Sequence, residues 1–153
     1  MSIVDTYKKQ CKNQFIFIQK HSQASSHYLT RNNPIALYLA ERGKQEGLAN
    51  LTSIEGAPED PNLPGAVDVM LMVDVYHHIA DRVGYLRAVR KYLEPGGRLA
   101  IIDHVDTPGS ALKDERSAPS RIKAELKRAG YELAAEHLFL PEQYFLIFKP
   151  AAR

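Results

Sequence analysis

The apolar positions of this chain follow two rhythms. Val67-Asp-Val-Met-Leu-Met-Val73 and Arg98-Leu-Ala-Ile-Ile-Asp103 are nearly continuous apolar runs. Such runs predict strands buried on both faces of a parallel sheet. Between them, Val83, Leu86, Val89 and Leu93 recur every three or four residues and predict a helix. Pro95-Gly96-Gly97 then predicts a sharp turn, since proline presets φ and glycine accepts positive φ. Upstream, Asn33 is suited to cap a helix with Pro34 at its first position; Ile35, Leu37, Leu39 and Ala40 give it an apolar face, and Gly47 closes it near Glu46. Leu51-Thr-Ser-Ile54 is a short strand candidate. Residues 56–65, with three prolines and two glycines, read as a loop. A polar loop is expected from His104 to about Pro119. Ser120 is the expected cap of a helix with Ile122, Leu126 and Ala129 on one face and Gly130 as its stop. Residues 131–140 and 143–148 read as two strands close enough to pair antiparallel. In the polar, glycine-free first 33 residues the one apolar run is Phe15-Ile-Phe-Ile18, a short strand candidate; the alternative is a loosely packed segment.

Alternating helices and strands with short connections predict a doubly wound α/β sheet, mostly parallel, ending in an antiparallel hairpin. Ligands in such sheets bind beyond the carboxyl ends of the strands, so the loops after residues 55, 73 and 103 are the ones to watch.

The bulk numbers narrow the classes. The 153 residues suit one domain and can bury a core without a disulfide or metal. Cys11, the one cysteine, excludes an internal disulfide and a multi-cysteine zinc site, and fits a cytoplasmic setting. Twenty basic against eighteen acidic residues give no electrostatic case for a nucleic-acid partner. No apolar run is long enough to span a membrane, and the start does not read as a signal peptide.

Val67-Asp-Val-Met-Leu-Met-Val-Asp-Val-Tyr-His-His-Ile79, then Tyr85-Leu-Arg87, then Leu93-Glu-Pro-Gly-Gly-Arg-Leu-Ala-Ile-Ile-Asp103 resemble the central block of class I S-adenosylmethionine-dependent methyltransferases. Glu46-Gly-Leu-Ala-Asn50 and Gly56-Ala-Pro-Glu-Asp-Pro-Asn-Leu-Pro64 resemble the preceding strand and adenine loop of a small-molecule branch. Ala129-Gly-Tyr131 and Phe139-Leu-Pro-Glu-Gln-Tyr-Phe-Leu-Ile-Phe148 are similar to its ending. The resemblance covers about residues 32–149. It implies a Rossmann-like sheet that holds S-adenosylmethionine across the strand ends and transfers its methyl group in line to a small-molecule acceptor. The protein then contributes mainly positioning and exclusion of water.

The resemblance fails at the start. The family opens with a strand running into an acidic, glycine-rich turn, yet the first glycine here is Gly43. The family's ribose-binding carboxylate would fall near Arg31. The sequence is therefore expected to divide into a divergent segment, 1–31, and a methyltransferase-like domain, 32–153, truncated or rearranged at the N-terminal side. Two alternatives stand beside the enzyme: a catalytically inactive interaction subunit and a gene fragment. Loss of a central strand would expose the sheet edge beside Val67-to-Val73, an edge suited to homo-oligomer formation. A strand from the first 30 residues is expected to cover it.

The candidate residues sit after the predicted strands. Gly56, Ala57 and Pro58 match the adenine loop, or are a plain surface turn; Ala57 cannot reach the adenine amine as an acidic residue would. Asp74 and Tyr76 are expected at the cofactor. Adjacent His77 and His78 on extended backbone would point opposite ways. His77 is the expected acid/base or acceptor-orienting group, with His78, Asp103 and His104 around the substrate pocket. The plainer readings are that the histidines merely end the strand and that Asp103 caps backbone donors in the next loop. No HxH or HxxxH spacing supports a metal site. Tyr144, Phe145 and Phe148 read as core, and Lys8, Lys9, Lys12 and Lys20 as a solvated face.

Overall fold

The apolar runs form the centre of the sheet. In the computed structural model, which describes residues 15–20, 25–30, 33–104 and 118–152, strands β4 (Val67–Val73) and β5 (Leu93–His104) lie side by side and parallel. Around them are β1 (Phe15–Lys20), β2 (Ser25–Thr30), β3 (Leu51–Glu55), β6 (Tyr131–His137) and β7 (Gln143–Pro150). The seven strands run in the order β3-β2-β1-β4-β5-β7-β6. Among the described residues three α-helices accompany them: α1 (Asn33–Gln45), α2 (Arg82–Arg90) and α3 (Pro119–Arg128). The closing hairpin is present, with β7 antiparallel to both β5 and β6.

The edge beside β4 is covered, as expected, by a strand from the first 30 residues. β1 pairs with β4 from Phe15 opposite Val73 to Gln19 opposite Val69, and it runs antiparallel. It also pairs antiparallel with β2, while β2 and β3 are parallel. Strands β2, β3, β4 and β5 therefore share one direction, and β1 sits among them reversed. Four residues, 21–24, separate β1 from β2, enough for a hairpin but too few for the crossover that parallel neighbours require.

Strand β4 is not buried equally on its two faces, as its continuous apolar run led us to expect. Met70 and Met72 are fully buried with Leu99, Ile101, Tyr144, Leu146 and Phe148 from the neighbouring strands. Leu86 and Val89 of α2 and Ile122 and Leu126 of α3 belong to the same core. Complete burial of each such side chain contributes about 1.5–3 kcal/mol. On the opposite face, Val69 and Leu71 are half-buried; α1 packs farther along, against β3 and β2.

Local differences from expectation have simple causes. The Pro95-to-Gly97 turn is absorbed into β5 as a bulge: Leu93 faces Val67, and the next paired residues are Arg98 and Val69. Gly96 takes φ of 87°, and a Cβ on Gly97 would lie 2.9 Å from the Glu94 carbonyl oxygen. Helix α3 begins at Pro119, so Ala118, not Ser120, occupies the cap position. Strand β6 stops at His137, leaving Leu138 and Phe139 exposed beyond it. Arg31, Cys11, the lysines at 8, 9 and 12, and most of the polar loop after His104 (residues 105–117) lie outside the described residues.

Candidate functional site

Because β3, β4 and β5 share a direction, their exits meet at one end of the sheet. This brings the 56–58 loop, Asp74 and Asp103 to the same side of the molecule. Asp74 leaves β4 with φ of 52°, a left-handed conformation that aspartate tolerates better than most residues, and its N–H donates to the Ile102 carbonyl at 2.9 Å. Its side chain lies between β5 and β7. Gln143 Nε2 donates to Asp74 Oδ1 at 2.9 Å, and His104 Nε2 stands 3.3 Å from the same oxygen.

Tyr76–His78 forms a single 3₁₀ turn where extended backbone was expected. Successive side chains on such a turn diverge by about 120° rather than 180°. His77 and His78 consequently do not point opposite ways: their ring centroids are 4.0 Å apart, tilted by 43°. They differ in depth, His78 being exposed while the His77 side chain keeps 13% of its surface accessible.

His77 meets Asp103 across the two strand exits. Its Nδ1 lies 3.0 Å and 3.1 Å from the two Asp103 carboxylate oxygens. Asp103 has no exposed surface. Its Oδ1 also accepts the His104 backbone N–H at 2.8 Å, so the capping role foreseen for it coexists with the contact to His77. A buried carboxylate needs such partners, because desolvation otherwise disfavours its charge by several kcal/mol. A carboxylate accepts hydrogen bonds only, so this contact is a hydrogen bond in the tautomer that carries its proton on Nδ1.

Tyr76 is fully buried, and its hydroxyl donates to Glu125 Oε2 at 2.5 Å. A cofactor at the strand ends could therefore meet its backbone but not its hydroxyl. Glu125, only 6% exposed, also accepts from Arg121 Nε at 3.0 Å and lies 3.5 Å from Arg82 Nη1. Burial pushes the Glu125 carboxyl up, but the hydrogen bonds from Tyr76 and Arg121 and the charge of Arg82 outweigh it and hold it below its usual range. Burial, and then the Glu125 bond, push the Tyr76 hydroxyl well above its usual range. This cluster ties the 3₁₀ turn to α3 and so fixes the position of His77. Sequence reasoning missed Glu125, which reads as an ordinary i,i+4 partner of Arg121, and Gln143, which reads as the polar start of a strand.

The loop at 56–58 leaves β3, three strand positions from β4, or roughly 14 Å at ~4.8 Å per strand. It is closed by a hydrogen bond from the Ala57 N–H to the Asp60 carbonyl at 2.8 Å. Among the described residues no cluster of three or more histidine, cysteine, aspartate or glutamate side chains could hold a metal ion.

This strand order, with an antiparallel final hairpin, is that of a Rossmann-like, class I methyltransferase fold. Residues 14–99, more than half of the chain, match the model of the methyltransferase domain family, and the chain belongs to that family. The uncharacterized protein YafE of Escherichia coli K12 is 34% identical over 77 residues, covering 50% of this chain and 37% of YafE. Among solved structures, a SAM-dependent methyltransferase from Aquifex aeolicus superposes with a TM-score of 0.71 at 16% identity, over 80% of this chain and 66% of that one. The O-methyltransferase NcsB1 of neocarzinostatin biosynthesis, in complex with S-adenosylmethionine and 2-hydroxy-5-methyl naphthoic acid, gives 0.71 at 20% identity, over 85% and 42%. The mitomycin 7-O-methyltransferase MmcR gives 0.68 at 22% identity, over 82% and 41%. The chain thus spans less than two thirds of the length of these relatives. Among the described residues no helix is long and apolar enough to cross a membrane.

Proposed function

We propose that this domain transfers a methyl group from S-adenosylmethionine to a small-molecule acceptor, with His77 as the base and Asp103 orienting it. The observation that carries this reading is the His77–Asp103 pair at the adjoining exits of β4 and β5. Naphthoic acids bound by NcsB1 support a small aromatic acceptor.

The residues at the strand ends suit the nucleoside half of the cofactor. Gly56, Ala57 and Pro58 would offer backbone and apolar contact to the adenine, and Asp74 with the Tyr76 backbone would face the sugar and the cationic sulfur. When bound, the cofactor supplies an electrophilic methyl sulfonium. The chain's own residues orient the acceptor and remove its proton. His77 Nε2 takes the acceptor proton while Asp103 holds Nδ1. His78, beside the His77 ring, and His104, on Asp74, would border the acceptor.

Transfer is tested by incubating the chain with S-adenosylmethionine and a panel of hydroxylated aromatic acids, and measuring S-adenosylhomocysteine release. We expect turnover that His77→Ala lowers by about 10²-fold or more. Turnover unaffected by His77→Ala would remove the histidine from the mechanism.

A second reading is favoured by one observation: β1 runs in reverse at the position where the resemblance expects a glycine turn, and no glycine precedes Gly43. On that reading the domain is a catalytically silent interaction subunit. Since β1 covers the edge beside β4, it would pair through β3 or β6, the outer strands among the described residues.

A further inference from the structure

At the opposite end of the sheet lies a cavity of about 630 Å³ whose charged lining, among the described residues, is Arg87, Arg90, Lys91, Arg98, Lys149 and one carboxylate, Glu94. Two of these cations are already paired outside the pocket, Lys91 with Asp60 and Lys149 with Glu132 at 3.3 Å, which leaves three arginines against Glu94. The pocket is far from the exits of β4 and β5. Leu93 in its wall pairs with Val67 at the start of β4, one strand length from Asp74, or about 23 Å at ~3.3 Å per residue.

The way the arginines are held keeps their charge available. Arg87 donates to the Arg128 carbonyl at 3.2 Å, and Arg90 to the Ala151 carbonyl at 2.6 Å. Arg98 donates to the carbonyls of Gly96 and Gly97. These bonds go to neutral carbonyls, so they fix each guanidinium without cancelling its charge. A guanidinium has five N–H donors in a planar fork that matches phosphate oxygens, so one or two anchoring bonds leave others for a ligand. Pre-positioning also lowers the ordering cost of binding.

We propose that this pocket binds a compact polyphosphate: inorganic tripolyphosphate or the triphosphate group of a nucleotide. The cavity volume falls within the usual range of small-ligand sites, roughly 300–1,000 Å³. The cations face one concavity rather than forming a stripe along the surface. That geometry fits a short, highly charged anion better than an extended nucleic-acid backbone.

Titration calorimetry of the full chain at low salt, with tripolyphosphate, ATP and a single-stranded oligonucleotide in separate arms, tests this. We expect saturable binding of tripolyphosphate, weakened by added salt. Comparable affinity for ATP assigns the site to a nucleotide's phosphates, and tripolyphosphate binding alone assigns it to the inorganic anion. Arg98→Gln with Lys149→Gln is expected to weaken binding about tenfold or more, the scale of one charge-assisted hydrogen bond. If the double variant loses its cooperative thermal transition, Lys149→Gln alone is measured, with about threefold weakening expected, since its exposed ammonium is screened. Lys44→Gln with Lys123→Gln, which lie outside the pocket, is expected to leave binding unchanged. Absence of tripolyphosphate binding, equal weakening by the control pair, or tighter binding of the oligonucleotide overturns the proposal.

Discussion

The imidazole of His77 and the carboxylate of Asp103 stand 3.0 Å apart, although 26 residues separate them in the chain. Each is delivered by a different parallel strand, and the meeting depends on β4 and β5 keeping their register from Val69 opposite Arg98 to Val73 opposite Ile102. Asp103→Asn keeps the shape but replaces the accepting carboxylate with an amide that no longer selects one imidazole tautomer. We expect kcat to fall by about 10²-fold, with KM and S-adenosylhomocysteine affinity little changed. A matching loss of affinity would mean that Asp103 serves binding rather than the orientation of His77.

Tyr76 holds the turn that carries His77 through a buried bond to a charged group. Tyr76→Phe removes that bond and leaves Glu125 short of a donor. The expected cost is about 1.5–3 kcal/mol of stability, measured by urea denaturation. Transfer activity should fall with it, because the His77 ring loses its anchor.

Glu125 also sets an acid limit. Its folded carboxyl is held below the ordinary range, so on acidification the unfolded chain takes up a proton first. The stabilisation it provides is complete above the unfolded carboxyl range, near pH 4.3, and is lost as pH falls through the lower folded value. Denaturation midpoints should therefore drop on acidification through that window. Glu125→Gln should flatten this dependence while lowering stability at neutral pH.

The bulge of β5 depends on the absence of a side chain at Gly97. In Gly97→Ala the new Cβ would press on the Glu94 and Val67 backbone, which cannot move without opening the β4–β5 ladder. A destabilisation of about 1–3 kcal/mol is expected, visible as a lower thermal midpoint.

The central strands, their helices and the closing hairpin were legible because apolar periodicity and glycine or proline punctuation record them directly. Val67–Val73 is read off the sequence to the residue. The direction of β1 was not legible: an apolar run such as Phe15 to Ile18 specifies a strand, while its orientation follows from the four-residue connection to β2. At the site, the chain order drew attention to His77 and Asp103, but not to their contact, which needs the parallel register. Glu125 stayed hidden because its burial depends on Tyr76, 49 residues away.

Calorimetric titration with S-adenosylhomocysteine bears most directly on whether the exits of β4 and β5 receive the cofactor. We expect saturable one-to-one heat, with a Kd below about 1 mM, corresponding to roughly −4 kcal/mol, and weaker binding in Asp74→Ala. A cooperatively folded chain that gives no heat at millimolar ligand contradicts this expectation.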